Sequence, residues 1–210
     1  MKVRLKGIVL LAALSFAVSG CAGLSDGQKT AYEKVNSALL TMKTYEAEAA
    51  VAYVSNKTNH AYQTKQQCKT SGEYRIEVTG PEKAAGNVTV FDGKQIYQFN
   101  ERVSGKINVT TSEATERVEL FLTSFVKNYV KSSEVSVAAA KIGGEACTVL
   151  EAVIPGEHPF LATEKLWVDN ATLLPVKLVI YDDEGGERII TEYKNFAYNV
   201  DLPENLFTIE

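Results

Sequence analysis

The sequence predicts a mainly β, α+β fold, in which a strongly curved antiparallel sheet or half-open barrel of about 11 strands wraps around two main helices. Many short runs alternate apolar and polar residues and are separated by Gly, Asn, Asp and Pro, the pattern of antiparallel strands joined by tight turns. Two longer stretches repeat their apolar residues every three or four positions, as helices do. Two helices cannot cover a flat sheet of that size, so the sheet is expected to curve around them.

The last third of the chain carries the clearest strand pattern, an antiparallel meander of three strands. In the middle strand Leu178 falls on one face and Val179 on the other, so both faces of the sheet need cover. The acidic run Asp182-Asp183-Glu184 precedes two glycines, which predicts a solvated hairpin tip rather than a catalytic carboxylate pair. The predicted strands are 165–169, 175–182 and 187–199.

A first helix is predicted to begin after Ser25, because Ser25 and Gln28 have the spacing of a capping box. From Tyr45 the apolar period changes to two, which predicts a series of short strands. The apolar stripe of the helix consists of Ala31, Val35, Ala38, Leu39 and Met42, and the strands are 45–53, 62–69, 73–79, 87–91, 95–99 and 107–111.

A second helix is predicted from Ser112, which can cap it, to about Lys131. Its strong apolar stripe is typical of a core helix that covers a sheet from inside. After it, strands are predicted again, with a break at Pro155-Gly156. The stripe consists of Val118, Phe121, Leu122, Phe125, Val126 and Tyr129, and the strands are 135–142 and 147–154.

The N-terminus has the anatomy of an export signal. Three basic residues precede the apolar run 7–18, which is too short to cross a membrane comfortably. The run then meets Val18-Ser19-Gly20-Cys21, which resembles the bacterial lipobox, in which the cysteine receives a lipid and becomes the mature N-terminus. An ordinary secretory signal with a chance cysteine is the alternative. Acyl chains such as palmitate on Cys21 would anchor the exported protein to the outer face of a bacterial membrane.

This leader sets the predicted organisation of the chain: a signal peptide at 1–20, a lipidated tether at 21–27 and a single domain at 28–210. The formal charge is −4 over the whole sequence. Without the three basic residues of the leader, 19 basic residues stand against 26 acidic ones, a net charge of −7. Such a balance argues against nucleic acid as a partner.

No enzyme motif stands out in the sequence. His60 and His158 are the only histidines, and neither belongs to a metal-binding spacing such as H-E-x-x-H. A phosphate-binding loop and a G-x-S-x-G elbow are both missing from the sequence. The chain is therefore predicted to be non-enzymatic, with no cofactor and no metal.

Several stretches resemble known lipoproteins. The closing pattern resembles the LolA/LolB superfamily of lipoprotein carriers, and three other segments resemble membrane lipoproteins of endospore formers, in particular the clostridial GerS-like germination lipoproteins. The segments are LWVDNATLLPVKLVIYDDEGGERIITEYKNFAYNVDLPENLF for the superfamily, and YRIEVTGPEKAAGNVTVFDGKQIYQFN, ERVELFLTSFVKNYVKS and TEKLWVDN for the spore-former lipoproteins. The resemblance implies a LolA-like half-open barrel. It also implies a role in sporulation or germination, with a spore-cortex N-acetylmuramoyl amidase as partner.

Two functions follow from this resemblance. One is a membrane-anchored scaffold or activator for a cell-wall amidase, and the other is a lipid or lipoprotein acceptor that uses the barrel interior. An open apolar cavity of several hundred Å³ would favour the lipid ligand. An interior filled by Phe121, Phe125 and Tyr129 would favour the scaffold.

Two further groups of residues are candidates for particular roles. Cys68 and Cys147 remain after lipidation and form either a disulfide or two independent buried thiols, and the sequence leaves both open. Aromatic residues on predicted strands supply a candidate partner or ligand surface. They are Tyr53, Tyr97, Phe99, Trp167 and Tyr181.

Overall fold

A computed structural model of the protein describes residues 24–55, 58–100, 102, 120–132 and 134–208. In this part of the chain, ten strands and two α-helices are present, followed by a C-terminal 3-10 helix at Glu204–Phe207. The strands are β1 (Thr44–Tyr53), β2 (His60–Lys69), β3 (Tyr74–Gly80), β4 (Asn87–Phe91), β5 (Ile96–Asn100), β6 (Val135–Ile142), β7 (Glu145–His158), β8 (Leu161–Asp169), β9 (Pro175–Tyr181) and β10 (Glu187–Tyr198), and the helices are α1 (Asp26–Thr41) and α2 (Leu122–Lys131).

All ten strands belong to one curved, unclosed antiparallel sheet in the order β5-β4-β3-β2-β1-β10-β9-β8-β7-β6. The predicted fold class is therefore confirmed. The strand predicted at 107–111 and the helix start predicted at Ser112 lie outside the described residues, as does Cys21. Within the described part, α2 begins at Leu122.

The start of α1 follows from its sequence. The Ser25 N–H donates to Gln28 Oε1 at 2.8 Å, and the Gln28 N–H donates to Ser25 Oγ at 3.4 Å, so the predicted capping box is confirmed. Val35, Leu39 and Met42 of the predicted stripe are buried against the sheet. The helix thus covers part of one face of the sheet, which we call the inner face.

The second helix and the residue before it cover a further part of the inner face with three aromatic side chains. Phe121, Phe125 and Tyr129 are all buried, and we call them the aromatic ridge. The Phe121 ring lies 4.5 Å from the ring of Tyr74 on β3. One turn before the helix ends, Asn128 Nδ2 donates to Glu164 Oε1 on β8 at 2.9 Å.

These two contacts explain the curvature of the sheet. Five strand spacings separate β3 from β8, which is about 24 Å in a flat sheet. The chain from Phe121 to Asn128 advances only about 10 Å along a helix axis. The sheet therefore bends toward α2 from both sides, because only then can one short helix reach both strands.

The outer face also needs cover, as the meander pattern predicts. Near β3, β4 and β5, the chain after β10 provides it, and Leu202 and Phe207 pack against Val88 and Val90. Lys69 fixes this segment, since its Nζ lies 2.7 Å from Glu204 Oε1 and 4.8 Å from the centre of the Phe207 ring. The segment from Leu202 to Phe207 is thus part of the folded unit.

One predicted boundary is wrong. The break expected at Pro155-Gly156 does not end the strand, and β7 continues to His158. The register explains the difference, because Val153 pairs with Thr163 and His158 pairs with Leu161, so four residues of β7 lie opposite one residue of β8. A proline and a glycine are tolerated inside a strand at such a bulge.

The core role of α2 predicts a stability effect. Phe125 is fully buried, so Phe125→Ala should lower the free energy of unfolding by about 3 to 5 kcal/mol, through lost burial and the cavity left behind. Urea denaturation followed by circular dichroism measures the change. The exposed Lys127 on the same helix gives the control, because Lys127→Ala should change stability by no more than about 0.5 kcal/mol. Equal midpoints for wild type and Phe125→Ala would show that the ring does not support the core.

Candidate functional site

The inner face of the sheet is filled with side chains rather than open. Phe121, Phe125, Leu150 and Leu166 are each at most 2% exposed and belong to one hydrophobic cluster that α1, α2 and the sheet share. Such packing leaves no room for an acyl chain at these positions. Of the two interiors that the sequence allows, the described residues show the packed one.

Two buried polar side chains inside this core bond to each other. The Tyr45 hydroxyl donates to Gln66 Oε1 at 2.9 Å, and both residues are fully buried on the inner face. Burial raises the pKa of the neighbouring Cys68 thiol to about 12, so it stays protonated at neutral pH. A buried network of this kind favours one unique packing arrangement over an adaptable lipid cavity.

Cys68 and Cys147 are both free thiols. Cys68 on β2 belongs to the core of the inner face. Cys147 on β7 points to the outer face, because it lies at odd spacing from the core residue Leu150 on the same strand. Since the two thiols lie on opposite faces and five strands apart in the sheet order, the structure contains no disulfide between them.

The five candidate aromatics lie in three separate places, and each is half-buried. Tyr97 and Phe99 sit together on the outer face of β5, packed beside the C-terminal segment. Tyr53 packs at the end of β1 beside the inner core, with its ring 6.1 Å from that of Tyr62.

Trp167 and Tyr181 share the outer face of β8 and β9, but cations cover both rings. Lys177 Nζ lies 5.5 Å from the centre of the Trp167 ring, and Lys165 Nζ lies 5.5 Å from that of Tyr181. Each lysine thereby occupies a π-face that a partner would need. A partner or ligand role for the five aromatics stays a prediction.

A different surface has the shape of a binding site. A cavity of about 490 Å³ opens at the end of the β7–β8 hairpin, and we call it the hairpin groove. It lies at the β7 bulge, where four residues of β7 are opposite one residue of β8. Within the bulge Gly156 adopts a φ of 112°, which other residues rarely take. Its lining consists of Val153, Ile154, Pro155, Gly156, His158, Pro159, Ala162 and Asp183.

Large apolar side chains stay exposed beside this groove. Phe160 at the hairpin tip is 55% exposed, and Val153 is 40% exposed. The Phe160 ring lies 5.9 Å from the His158 ring and 5.3 Å from the Arg188 guanidinium. The Asp183 N–H donates to the Pro159 carbonyl oxygen at 2.9 Å and ties the tip to the β9–β10 turn. The exposed apolar surface is thus held in a fixed position.

Asp182 organises this end of the molecule. It was predicted to lie on a solvated tip, and this is wrong for Asp182, which is 5% exposed, although Asp183 and Glu184 are exposed as expected. Its carboxylate accepts from the backbone N–H groups of Gly186 and Glu184, and Arg188 Nε donates to it at 2.6 Å. These hydrogen bonds stabilise the ionised carboxylate and hold the pKa of Asp182 below its usual value. The bond from the Gly186 N–H has the largest effect, and the bond from Arg188 follows it.

The sequence did not point to the hairpin groove. Pro155-Gly156 predicts a strand break, and a break at this point gives no reason to expect a cavity at the end of the hairpin. The sequence does contain one signal for a bulge, a Pro-Gly pair flanked on both sides by strand residues. Phe160 follows it.

In the part of the chain that the structure covers, His, Cys, Asp and Glu side chains form no group of three that could hold a metal ion. His60 lies beside Thr58 at the start of β2, and His158 accepts from the Phe160 N–H, so the two histidines serve separate turns. No helix within the described ranges is both long and apolar enough to cross a membrane.

The chain resembles known proteins in both sequence and fold. A family model described as "Sporulation protein YdcC-like" matches residues 4–207, whereas no curated protein sequence matches. The structure of the GerS lipoprotein of Clostridioides difficile, in complex with the CwlD amidase, is 27% identical with a TM-score of 0.50, over 85% of this chain and 100% of that one. This similarity confirms the resemblance to clostridial germination lipoproteins.

Two more distant structures were also found. An uncharacterized conserved protein of Thermus thermophilus is 12% identical with a TM-score of 0.51, over 86% of this chain and 92% of that one, and shares the fold. A LolA superfamily protein of Nitrosomonas europaea is 16% identical with a TM-score of 0.44, over 87% of this chain and 97% of that one.

The depressed pKa of Asp182 predicts how stability depends on pH. Its carboxyl group has a lower pKa in the folded chain than its unfolded value of about 3.9, so its stabilising effect is complete above that value and is lost as the pH falls through the folded pKa. Asp182→Asn should therefore lower the urea midpoint at neutral pH, and the gap to wild type should shrink in acid. The neighbouring Asp183→Asn removes an exposed carboxylate and serves as the control. A gap that is the same at both pH values would contradict this role.

Proposed function

Because this chain belongs to the YdcC-like family of sporulation proteins, we propose that it is an exported, membrane-anchored lipoprotein that binds and activates a cell-wall amidase of the spore cortex. It has no enzymatic activity of its own in this proposal. Its contribution to cortex processing is to hold the amidase close to the membrane and in a productive state.

The packed inner face carries this proposal. A carrier of acyl chains needs an open apolar interior. Here the aromatic ridge fills that space, and the buried Tyr45–Gln66 hydrogen bond fixes the packing beside it. The similarity to GerS, which was solved in complex with an amidase, supports a protein as the ligand and an amidase as the partner to test first. The rigid apolar groove at the β7–β8 hairpin gives such a partner a place to bind.

The tether adds a geometric constraint. Only a few residues separate Cys21 from the start of α1 at Asp26, and a chain of that length cannot span more than about 18 Å. A lipid on Cys21 would hold the domain against the bilayer surface. The bound amidase would then work within a thin layer next to the membrane.

The proposal predicts binding to the amidase of the same cell. Full-length protein, extracted in mild detergent and immobilised, should bind the purified N-acetylmuramoyl amidase saturably in interferometry. Addition of the protein should also raise amidase turnover on cortex peptidoglycan. Fluorescent fatty acid added at about micromolar concentration should not be taken up, because the interior is packed. Fatty acid uptake, without amidase binding or any change in turnover, would instead identify a lipid acceptor.

The anchor predicts a change of location. Cys21→Ala should move the protein from the membrane fraction to the soluble exported fraction, because the acyl chains that hold it are lost. Its urea midpoint should match that of the wild-type domain, since Cys21 lies before the folded elements. Cys147→Ala is the matched control, as it removes a buried cysteine and should leave the protein on the membrane. An unmodified Cys21 in the intact mass of the native protein would exclude the anchor.

A further inference from the structure

We propose that the hairpin groove is the docking site for the protein partner, and that it takes an extended segment with one apolar anchor flanked by Lys or Arg. This inference rests on the proposed function, since it names the surface and the partner chemistry through which that function would act.

The shape of the groove fits an apolar anchor. A cavity of about 490 Å³ lies in the range of pockets that bury a ligand group, and its walls carry Val153, Ile154 and Ala162. Pro155 and Pro159 stiffen two of its walls, so little conformational entropy is lost on binding. Phe160, which is 55% exposed at the rim, adds apolar surface that an inserted side chain can contact.

The backbone of the bulge favours an extended occupant. Beyond Ala152 the edge of β7 that faces β6 pairs with no described strand, because the β6 ladder stops at the Val135–Ala152 pair. On the other edge residues 154–157 form the bulge opposite Ala162. The edge beyond Ala152 is therefore where an added strand would pair. Extended peptides are commonly bound in this way, by backbone hydrogen bonds and a pocket for alternate side chains.

The charge of the rim selects the flanking residues. Arg188, the cation beside the tip, is bonded to Asp182, so the two charges offset one another. Asp183 lines the groove and Glu184 follows it, both exposed, and neither carboxylate forms an ion pair with a described residue. The rim is therefore acidic. It attracts Lys and Arg on a protein segment and repels anionic lipid headgroups.

The size of the groove defines its part in the complex. A pocket that takes one side chain buries less surface than the roughly 800 Å² that each partner buries in a stable interface. The hairpin groove therefore acts as the energetic centre of a wider contact, where a few residues account for most of the binding energy. Removal of its exposed aromatic should have a large effect on affinity.

The test measures amidase affinity of detergent-extracted full-length variants by interferometry. Phe160→Ala should weaken binding about 30-fold or more, as expected for a central aromatic. The double change Asp183→Lys and Glu184→Lys should slow association and reduce its dependence on salt, because the rim would then repel the basic segment. Leu40→Ala, which truncates a side chain that is 52% exposed on α1, is the matched control and should stay within about twofold of wild type.

The outcomes separate this inference from the proposed function. If wild type binds the amidase and both groove variants bind as tightly and as fast, the groove assignment is overturned and the proposed function stands. If wild type does not bind the amidase at all, both are overturned. Urea midpoints for each variant show whether the fold is retained, and the charge-reversal variant still decides the matter if Phe160→Ala unfolds.

Discussion

The contact between the aromatic ridge of α2 and the inner face of the sheet is the constraint from which the rest of the structure follows. A ten-residue helix is too short to span a flat sheet of ten strands, yet Phe121 reaches β3 and Asn128 reaches β8. The sheet bends to bring both strands within reach. The same bend places bulky side chains in the space that an open barrel would leave for a ligand. The interior therefore stabilises the fold and does not form a ligand cavity at these positions.

Function is therefore left to the outer surface and to the ends of the strands. Much of the outer face is covered as well, by the C-terminal segment near β4 and by lysines over Trp167 and Tyr181. At the β7–β8 hairpin, however, the strands extend beyond β6, and the bulge opens a cavity between apolar walls. The Asp182–Arg188 pair then fixes the neighbouring turn, and with it the position of Phe160. The curved sheet thus has a packed core on its inner face and a fixed, exposed tip at the β7–β8 hairpin.

Local signals in the sequence predicted most of the fold. The Ser25–Gln28 capping box depends on residues three apart, and strand alternation depends on neighbours, so both could be identified without the tertiary structure. The hairpin groove depends on a register shift between two strands and could not be. The burial of Asp182 was missed for the same reason, because it requires Arg188 across the turn and the packing of a second hairpin. Likewise, whether Cys68 and Cys147 form a disulfide depends on the order of the strands and on the face each thiol occupies. Neither can be read from the sequence.

Amide hydrogen exchange of the full-length protein, with and without its amidase, tests the central claim most directly: the core is closed and the hairpin is the binding surface. The account predicts slower exchange on complex formation in residues 153–163 and in the turn 182–188, while α2 exchanges slowly in both states because it is buried. Protection that appears in α2 and on the inner strands, with an unchanged hairpin, would contradict it, since the interior would then have to open to receive the partner.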